Sequence, residues 1–276
     1  MGHQRLRTQF DEGSICVFDI ETFSTQPTED GSFPPWPTHI PVVASLLTAS
    51  LDGHGEWAFG LESVRFDDGA RAALERIDEL LTGRSAISLN GRGFDCPCLL
   101  LAAQRARCYS LHSLTAAATE PRYWSARHYD LADKFSQYGA ARGASLERLC
   151  SALDIPAKLA AHGSEVAELY EAGEIDTIAA YCEQDVVSTL LTYAHWRAIE
   201  TGNAVYHAAL TFQFTRWVQQ QGQDHLLPYA DIHAPEELLR LSLLGQLDAA
   251  FKNAQLNADC RAKQALDASF GPPTHY

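Results

Sequence analysis

Two carboxylates separated by a single residue, Asp19 and Glu21, interrupt an otherwise apolar run, Cys16-Val17-Phe18-Asp19-Ile20-Glu21-Thr22. Side chains alternate faces along a strand, so this pair points to one side. Val17, Phe18 and Ile20 favour a buried pleated setting. Two unpaired carboxylates there repel each other and cost roughly several kcal/mol unless a cation sits between them. A divalent metal is the simplest resolution, and the plainer alternative is a strand end wetted by solvent. Two further segments carry acids at suggestive positions. Asn90-Gly91-Arg92-Gly93-Phe94-Asp95 runs from a short apolar stretch into a helical one. Asp95 there fits a helix N-cap, with Pro97 in the first turn, and equally fits a carboxylate held above the sheet edge. Tyr181 and Asp185, four residues apart in a helical pattern, stack on one face, as a surface pair or as part of a site.

The elements that must position these groups are legible in outline. After the first strand, Phe23 to Pro41 is rich in Pro, Gly, Ser and Thr and reads as a loop beside the carboxylates. Val42–Leu51 and Gly55–Gly60 read as a hairpin around Asp52-Gly53-His54-Gly55. Asp67–Leu81 has a helical apolar face and a terminating Gly83. Ser85–Leu89 is a short strand, and Leu99–Arg107 a helix. Arg127–Leu131 is a further strand and Gly143–Asp154 a helix. Pro156–Gly163 is a loop, with Ser164 capping a short helix closed by Gly173. Glu174–Thr201 is a long helix whose stripe of Ile175, Ile178, Cys182, Val186, Tyr193 and Trp196 docks on the core. Beyond Val205 a helical pattern surrounds Glu236–Leu256, before Phe270-Gly271-Pro272-Pro273.

Composition bounds the answer. The 276 residues, 46% hydrophobic and 20% charged, are those of an ordinary globular chain with room for a large core. No apolar run reaches membrane-spanning length, and the first ten residues lack the apolar segment of a secretory signal. No membrane association and a cytoplasmic location are the resulting expectations. Seven irregularly spaced cysteines read as reduced thiols. The net charge of −14 argues against non-specific coating of nucleic acid. Basic residues nevertheless gather in 84–107 (Arg84, Arg92, Arg105, Arg107) and 122–148 (Arg122, Arg127, Lys134, Arg142, Arg148). With divalent cations these segments suit a short piece of nucleic acid.

In this order, the strand Asp-x-Glu, the strand-to-helix turn ending in Asp95 and the helical Tyr181-Cys182-Glu183-Gln184-Asp185-Val186 resemble the DEDD superfamily of 3′–5′ exonucleases, in its tyrosine branch. The chain is most similar there to predicted exonucleases related to the proofreading domain of family B DNA polymerases. Lesser echoes are His128-Tyr129-Asp130-Leu131, Ile155-Pro156-Ala157-Lys158 and Gly163-Ser164-Glu165-Val166; Ala157 and His162 depart from the family pattern in the loop after Ile155-Pro156. The likeness spans roughly residues 13–200. It implies an α/β fold of the ribonuclease H-like kind, a mixed central sheet flanked by helices, as a domain of 1–204 with a mainly helical C-terminal extension, 205–276. It also implies that Asp19, Glu21, Asp95 and Asp185 hold two Mg²⁺ or Mn²⁺ ions. Tyr181 then orients the attacking water, and 5′ mononucleotides are released.

Substrate contacts implied by the same motifs are Thr22, Phe23, Asn90, Arg92 and Phe94. Phe23, Trp36, Tyr123, Trp124, Tyr129, Phe135 and Tyr138 supply aromatics for stacking unpaired bases, although most aromatics of a fold serve its core. The partner expected is a nucleic-acid 3′ end, single-stranded DNA foremost, with a DNA polymerase possible only in trans. Two other readings stand beside this one: an exoribonuclease acting on RNA 3′ ends, because no residue singles out a 2′-hydroxyl, and a non-catalytic nucleic-acid-binding scaffold. Residues 205–276 serve equally as packing on the domain or as a homodimer contact.

Overall fold

The computed structural model describes residues 10–24, 26, 33–124, 126–156, 165–232 and 235–269. Ser164, the loop 157–163 and the tail after 269, all assigned above from sequence, lie outside the described residues.

Strand β1 (Ser14–Ser24) is the axis of the fold. Its side chains alternate faces as the sequence requires, and both faces are covered: Ile15 and Val17 enter one core while Cys16, Phe18 and Ile20 enter another. On one flank β2 (His39–Leu51) pairs antiparallel with β1, and β3 (Trp57–Arg65) with β2. On the other, β4 (Ser85–Ser88) and β5 (His128–Asp130) add parallel strands, giving the order β3-β2-β1-β4-β5. This is a mixed sheet flanked by helices, the ribonuclease H-like architecture that the motifs imply. Helices α1 (Ala70–Leu81), α2 (Asp95–Arg105) and α3 (His112–Ala118) cover the face of Cys16, Phe18 and Ile20 through Leu74, Ile77, Leu99 and Leu114. The short helices α4 (Leu131–Phe135), α5 (Leu146–Ala152) and α6 (Val166–Glu171) follow β5.

Helix α7 (Ile175–Thr201) covers the opposite face, the side to which Ile15, Val17, Asp19 and Glu21 point. A single apolar stripe is the sequence expectation for it; instead, every residue from Gln184 to Ala194 is buried. The cause is α8 (Ala204–Gln221), which packs on the outer side of α7, so the longer helix lies between a sheet and a helix. Leu210, Phe214 and Val218 of α8, with Leu226 and Tyr229 of a 3-10 segment at Asp224–Asp231, join the same core as Ile15 and Val17. The core between the sheet and α7 therefore continues to Tyr229. Helix α9 (Pro235–Ser269) packs along α8, where Gly245 permits the approach: a Cβ there would stand 2.7 Å from Val205 Cγ1.

No helix among the described residues is long and apolar enough to cross a membrane. All seven cysteines are free thiols.

Candidate active site

Asp19 and Glu21 lie half-buried where β1 runs on past its pairing with β4, which ends at Val17↔Ile87. They continue the face that α7 covers, so the helix brings Asp185 down on them. One carboxylate oxygen from each of Asp19, Glu21 and Asp185 lies within 4.8 Å of the others. Sequence spacing brings together only the first two; the third comes from a helix crossing the sheet. Cys182, one turn before Asp185, is fully buried and donates its S–H to the Asp19 carbonyl at 3.3 Å. Burial and the charges of Asp19 and Glu21 push its thiol well above the usual range, so it stays protonated and keeps that donor. In the sequence Cys182 looks like any stripe residue, and no signal separates it from core packing.

Asp95 approaches from the other side of the sheet edge. It is the first residue of α2, the N-cap position belongs to Phe94, and no side chain caps this helix. The N-cap reading of Asp95 therefore fails. Its side chain is 4% exposed, and burial together with Asp130 and Glu21 pushes its carboxyl up to about 8, against the backbone N–H groups of Asp95 and Ile20, which favour the ion. Asp95 stands outside the tight group of three but near enough to feel Glu21. Tyr181 is half-buried on α7, one turn before Asp185 and therefore on the same side.

The turn that delivers Asp95 is held from below. Asp130, at the end of β5, accepts hydrogen bonds from the backbone N–H of Asn90 (2.8 Å), Arg92 (2.9 Å) and Ala132 (3.0 Å). Ser88 Oγ accepts from Gly91 N (3.1 Å) and pairs with His128 Nε2 (2.7 Å). The other His128 nitrogen faces the Ala117 carbonyl at 3.2 Å, so it carries the proton and Nε2 accepts from Ser88. Asn90 takes a left-handed φ of 66°. Gly91 is required by close approach: a Cβ would lie 2.4 Å from Ser88 Oγ, 2.7 Å from Ser88 Cβ and 3.3 Å from Asp95 Oδ2. Gly91→Ala is expected to cost about 1–3 kcal/mol through this overpacking and to displace Asp95, which a thermal melt and an activity assay together would register; an unchanged pair of values would show the turn to be pliable.

The residues expected from the motifs as substrate contacts divide. Arg92 does not face the acids. Its guanidinium, 12% exposed, donates to the carbonyls of Glu120 (2.6 Å) and His128 (2.6 Å) and pairs with the carboxylates of Glu120 and Asp133. The motif marks Arg92 as a substrate contact, whereas here it clamps the 120–133 segment to the turn. Phe23 stacks on Tyr170 (5.0 Å) within the small core under α6 and α7. The Thr22 hydroxyl bonds His39 Nδ1 (2.7 Å), whose other nitrogen donates to the Pro34 carbonyl (3.2 Å). Burial lowers the His39 pKa, consistent with a neutral ring. Phe94 meets the His39 ring edge-on (4.9 Å), and the exposed Phe33 stacks on the same ring (4.9 Å). His39 and Phe33 were unmarked in the sequence, because only the return of β2 beside Thr22 brings them to Phe94. Tyr129 is core, while Tyr123 and Trp124 are exposed.

Residues 33–232 match the family described as predicted 3′–5′ exonucleases related to the exonuclease domain of PolB. The chain belongs to that family. The matched stretch holds Asp95, Tyr181 and Asp185, whereas Asp19 and Glu21 precede it and join them through the geometry above. Among solved structures, the chain is similar to the family B DNA polymerase of Pyrobaculum calidifontis (16% identity, TM-score 0.46, covering 84% of this chain and 28% of the polymerase). It is also similar to E. coli Exonuclease I in complex with a dT13 oligonucleotide (14% identity, TM-score 0.44, covering 74% of this chain and 46% of Exonuclease I). The chain thus spans less than half the length of either. No curated protein sequence matches it.

The donor set of this PolB-exonuclease relative fits a hard divalent cation. Carboxylate oxygens from two chain segments converge, and Asp95 is held protonated by burial and like charge, the condition that a cation relieves. The sign of the pH effect follows. Asp95 binds its proton more tightly folded than unfolded, so metal-free stability falls as pH rises from about 4 towards about 8. His128, whose burial lowers its pKa to about 3, contributes in the opposite sense and has done so fully above about 6.5. Metal-free protein is therefore expected to lose melting temperature between about pH 7 and 8, and Asp95→Asn to lose less. Equal slopes for the two proteins would remove Asp95 as the cause.

Proposed function

We propose that this chain is a metal-dependent 3′–5′ exonuclease that removes nucleotides from the 3′ end of single-stranded nucleic acid, DNA foremost. The observation that carries the reading is the convergence of Asp19, Glu21 and Asp185 on one point, with Asp95 beside it on the turn from β4 to α2. Asp19, Glu21 and Asp185 would hold Mg²⁺ or Mn²⁺, and Asp95 would share in a second ion. When bound, such ions lower the pKa of a water and stabilise the leaving 3′ oxygen.

The chain's own residues do the rest. Asp19 is kept in place by the Cys182 thiol and Asp95 by the Asp130–Ser88 network, so the carboxyl groups are held in position for a cation at low reorganisation cost. Tyr181 orients the attacking water from one turn before Asp185. A phenol with a reference pKa near ~10 is a poor base, so its hydroxyl serves as a positioning group. Phe33, His39 and Phe94 form an aromatic surface reaching solvent at Phe33, suited to the face of a terminal base. Arg92, Phe23 and the Thr22 hydroxyl, already engaged within the fold, support the site rather than grip substrate. The nuclease unit extends to about residue 232, as the shared core of α7, α8 and Tyr229 and the reach of the family match both favour; α9 is its appendage.

The test is release of mononucleotides from 5′-labelled single-stranded DNA and RNA of equal sequence, in Mg²⁺, Mn²⁺ and chelator. A metal-dependent ladder shortening from the 3′ end supports the reading, and the faster polymer names the sugar. Binding of either polymer without cleavage in any metal would replace it with a scaffold role. Tyr181→Phe is expected to lower turnover about 10-fold to 100-fold with little change in the metal concentration for half-maximal rate; unchanged turnover would take the tyrosine out of the mechanism.

A further inference from the structure

Helix α9 docks on the body of the protein by one face and turns an apolar face to water. Towards the body of the protein, Leu238 and Ser242 are buried, Gly245 meets Val205, Gln246 Nε2 donates to Glu56 Oε1 (2.5 Å), and Asn253 reaches the Gly53 carbonyl. On the far side Leu239 (41% exposed), Leu243 (50%), Leu244 (51%), Leu247 (54%) and Phe251 (73%) stand in water. Their steps of three, four and seven residues place them on one stripe, roughly opposite the docked face. Five large apolar side chains in a continuous row form the kind of patch that marks an association surface.

Charge along the stripe selects the occupant. Its first turn carries Glu236 and Glu237, and its far end carries Arg261, all exposed. We infer that α9 pairs antiparallel with α9 of a second copy of this chain, about a twofold axis near residue 249. In that register Leu247 of each copy meets Phe251 of the other, and the same offset sets Glu237 opposite the second copy's Arg261, with Glu236 beside it. Arg240 falls near the second copy's Asp259. A parallel pair would instead lay Glu236 and Glu237 against their own counterparts and Arg240 against Arg240, and like charges facing each other are unfavourable. Leu243 and Leu244 fall opposite Gln255 and Ala254 of the second copy, where the small Ala254 leaves room for a leucine. Because a twofold contact is made by the same surface on both chains, it closes at two copies and leaves no free end to propagate. The pairing is independent of the nuclease reading.

Sedimentation equilibrium on the full chain tests it. The mass is expected to move from the 30.4 kDa of one chain to twice that as concentration rises through the micromolar range. Leu247→Glu with Phe251→Glu should leave a monomer with an unchanged circular dichroism spectrum, since both residues already stand in water. Orientation is read by charge reversal: Glu237→Lys alone and Arg261→Glu alone should each weaken the dimer about tenfold, and the two together in one chain should restore it, because antiparallel pairing sets each against the other. A monomer at every concentration, a dimer untouched by the glutamates at 247 and 251, or reversals that fail to compensate would each overturn the inference.

Discussion

Asp185→Ala is expected to lower single-turnover cleavage at least about a thousandfold, the equivalent of about 4 kcal/mol of barrier. Asp185 supplies one of three carboxylates whose oxygens lie within 4.8 Å, and it alone comes from the helix side. Without it the remaining strand pair offers a cation two ligands on one face. Asp19→Ala should act alike. The accompanying stability result separates chemistry from folding: in chelator either variant should melt at the wild-type temperature or above it, because one member of a repelling group is gone. Added Mg²⁺ or Mn²⁺ should raise the melting temperature of the wild type, as a ligand that binds only the folded state does, and leave the variants unmoved. Loss of folded, soluble protein in both variants would mean that these acids serve the fold, and full activity in either would dissolve the site.

Asp130→Ala is expected to be the most damaging single change outside the cluster. Asp130 is 2% exposed and its oxygens terminate the backbone N–H groups of Asn90, Arg92 and Ala132. Truncation leaves three donors without acceptors, at about 1–3 kcal/mol for each that water cannot reach. Against this stands the cost of burying Asp130 itself, which raises its carboxyl above the usual value. A net loss of about 2–4 kcal/mol follows, read as a fall of roughly 5–15 °C in melting temperature for a protein of this size. Activity should fall further than stability accounts for, because Asp95 rides on the released turn. Asp130→Asn discriminates: one amide oxygen can still serve Asn90 and Ala132, while the NH₂ confronts the Arg92 N–H, so its effects should lie between wild type and Ala. An Asp130→Ala protein with wild-type melting and turnover would show that the turn holds itself.

The two faces of β1 illustrate how far the sequence reaches. Alternation alone puts Asp19 and Glu21 on one side, because strand geometry has a period of two and leaves no freedom. Helix geometry fixes Tyr181 one turn from Asp185 in the same way, and the order of the three motifs carries the family likeness and with it the ribonuclease H-like sheet. Local periodicity is less able to see what a helix packs against. The stripe read for α7 underestimates a helix buried on several sides, since α8, which makes it so, has no strong pattern of its own. The core that Ile15 and Val17 enter likewise continues to Tyr229, past the stretch that the three motifs span.

Tertiary structure decided the roles of residues whose types admit two uses. Arg92 suits a phosphate or a carboxylate equally, and only the arrival of Glu120, Asp133 and the His128 carbonyl commits it to the fold. Asp95 suits an N-cap or a metal site, and the entry of α2 one residue early, with Phe94 at the cap, removes the first use. Cys182, His39 and Asp130 are tied to Asp19, Thr22 and Asn90, which lie 163, 17 and 40 residues away. What the sequence determined by itself is whatever depends on the repeat of a strand or helix: which carboxylates share a face, and in what order the motifs come. What only the fold decided is whatever depends on a neighbour brought from elsewhere in the chain, because a side chain's charge, hydrogen bonds and access to water are set by contacts that local spacing does not encode.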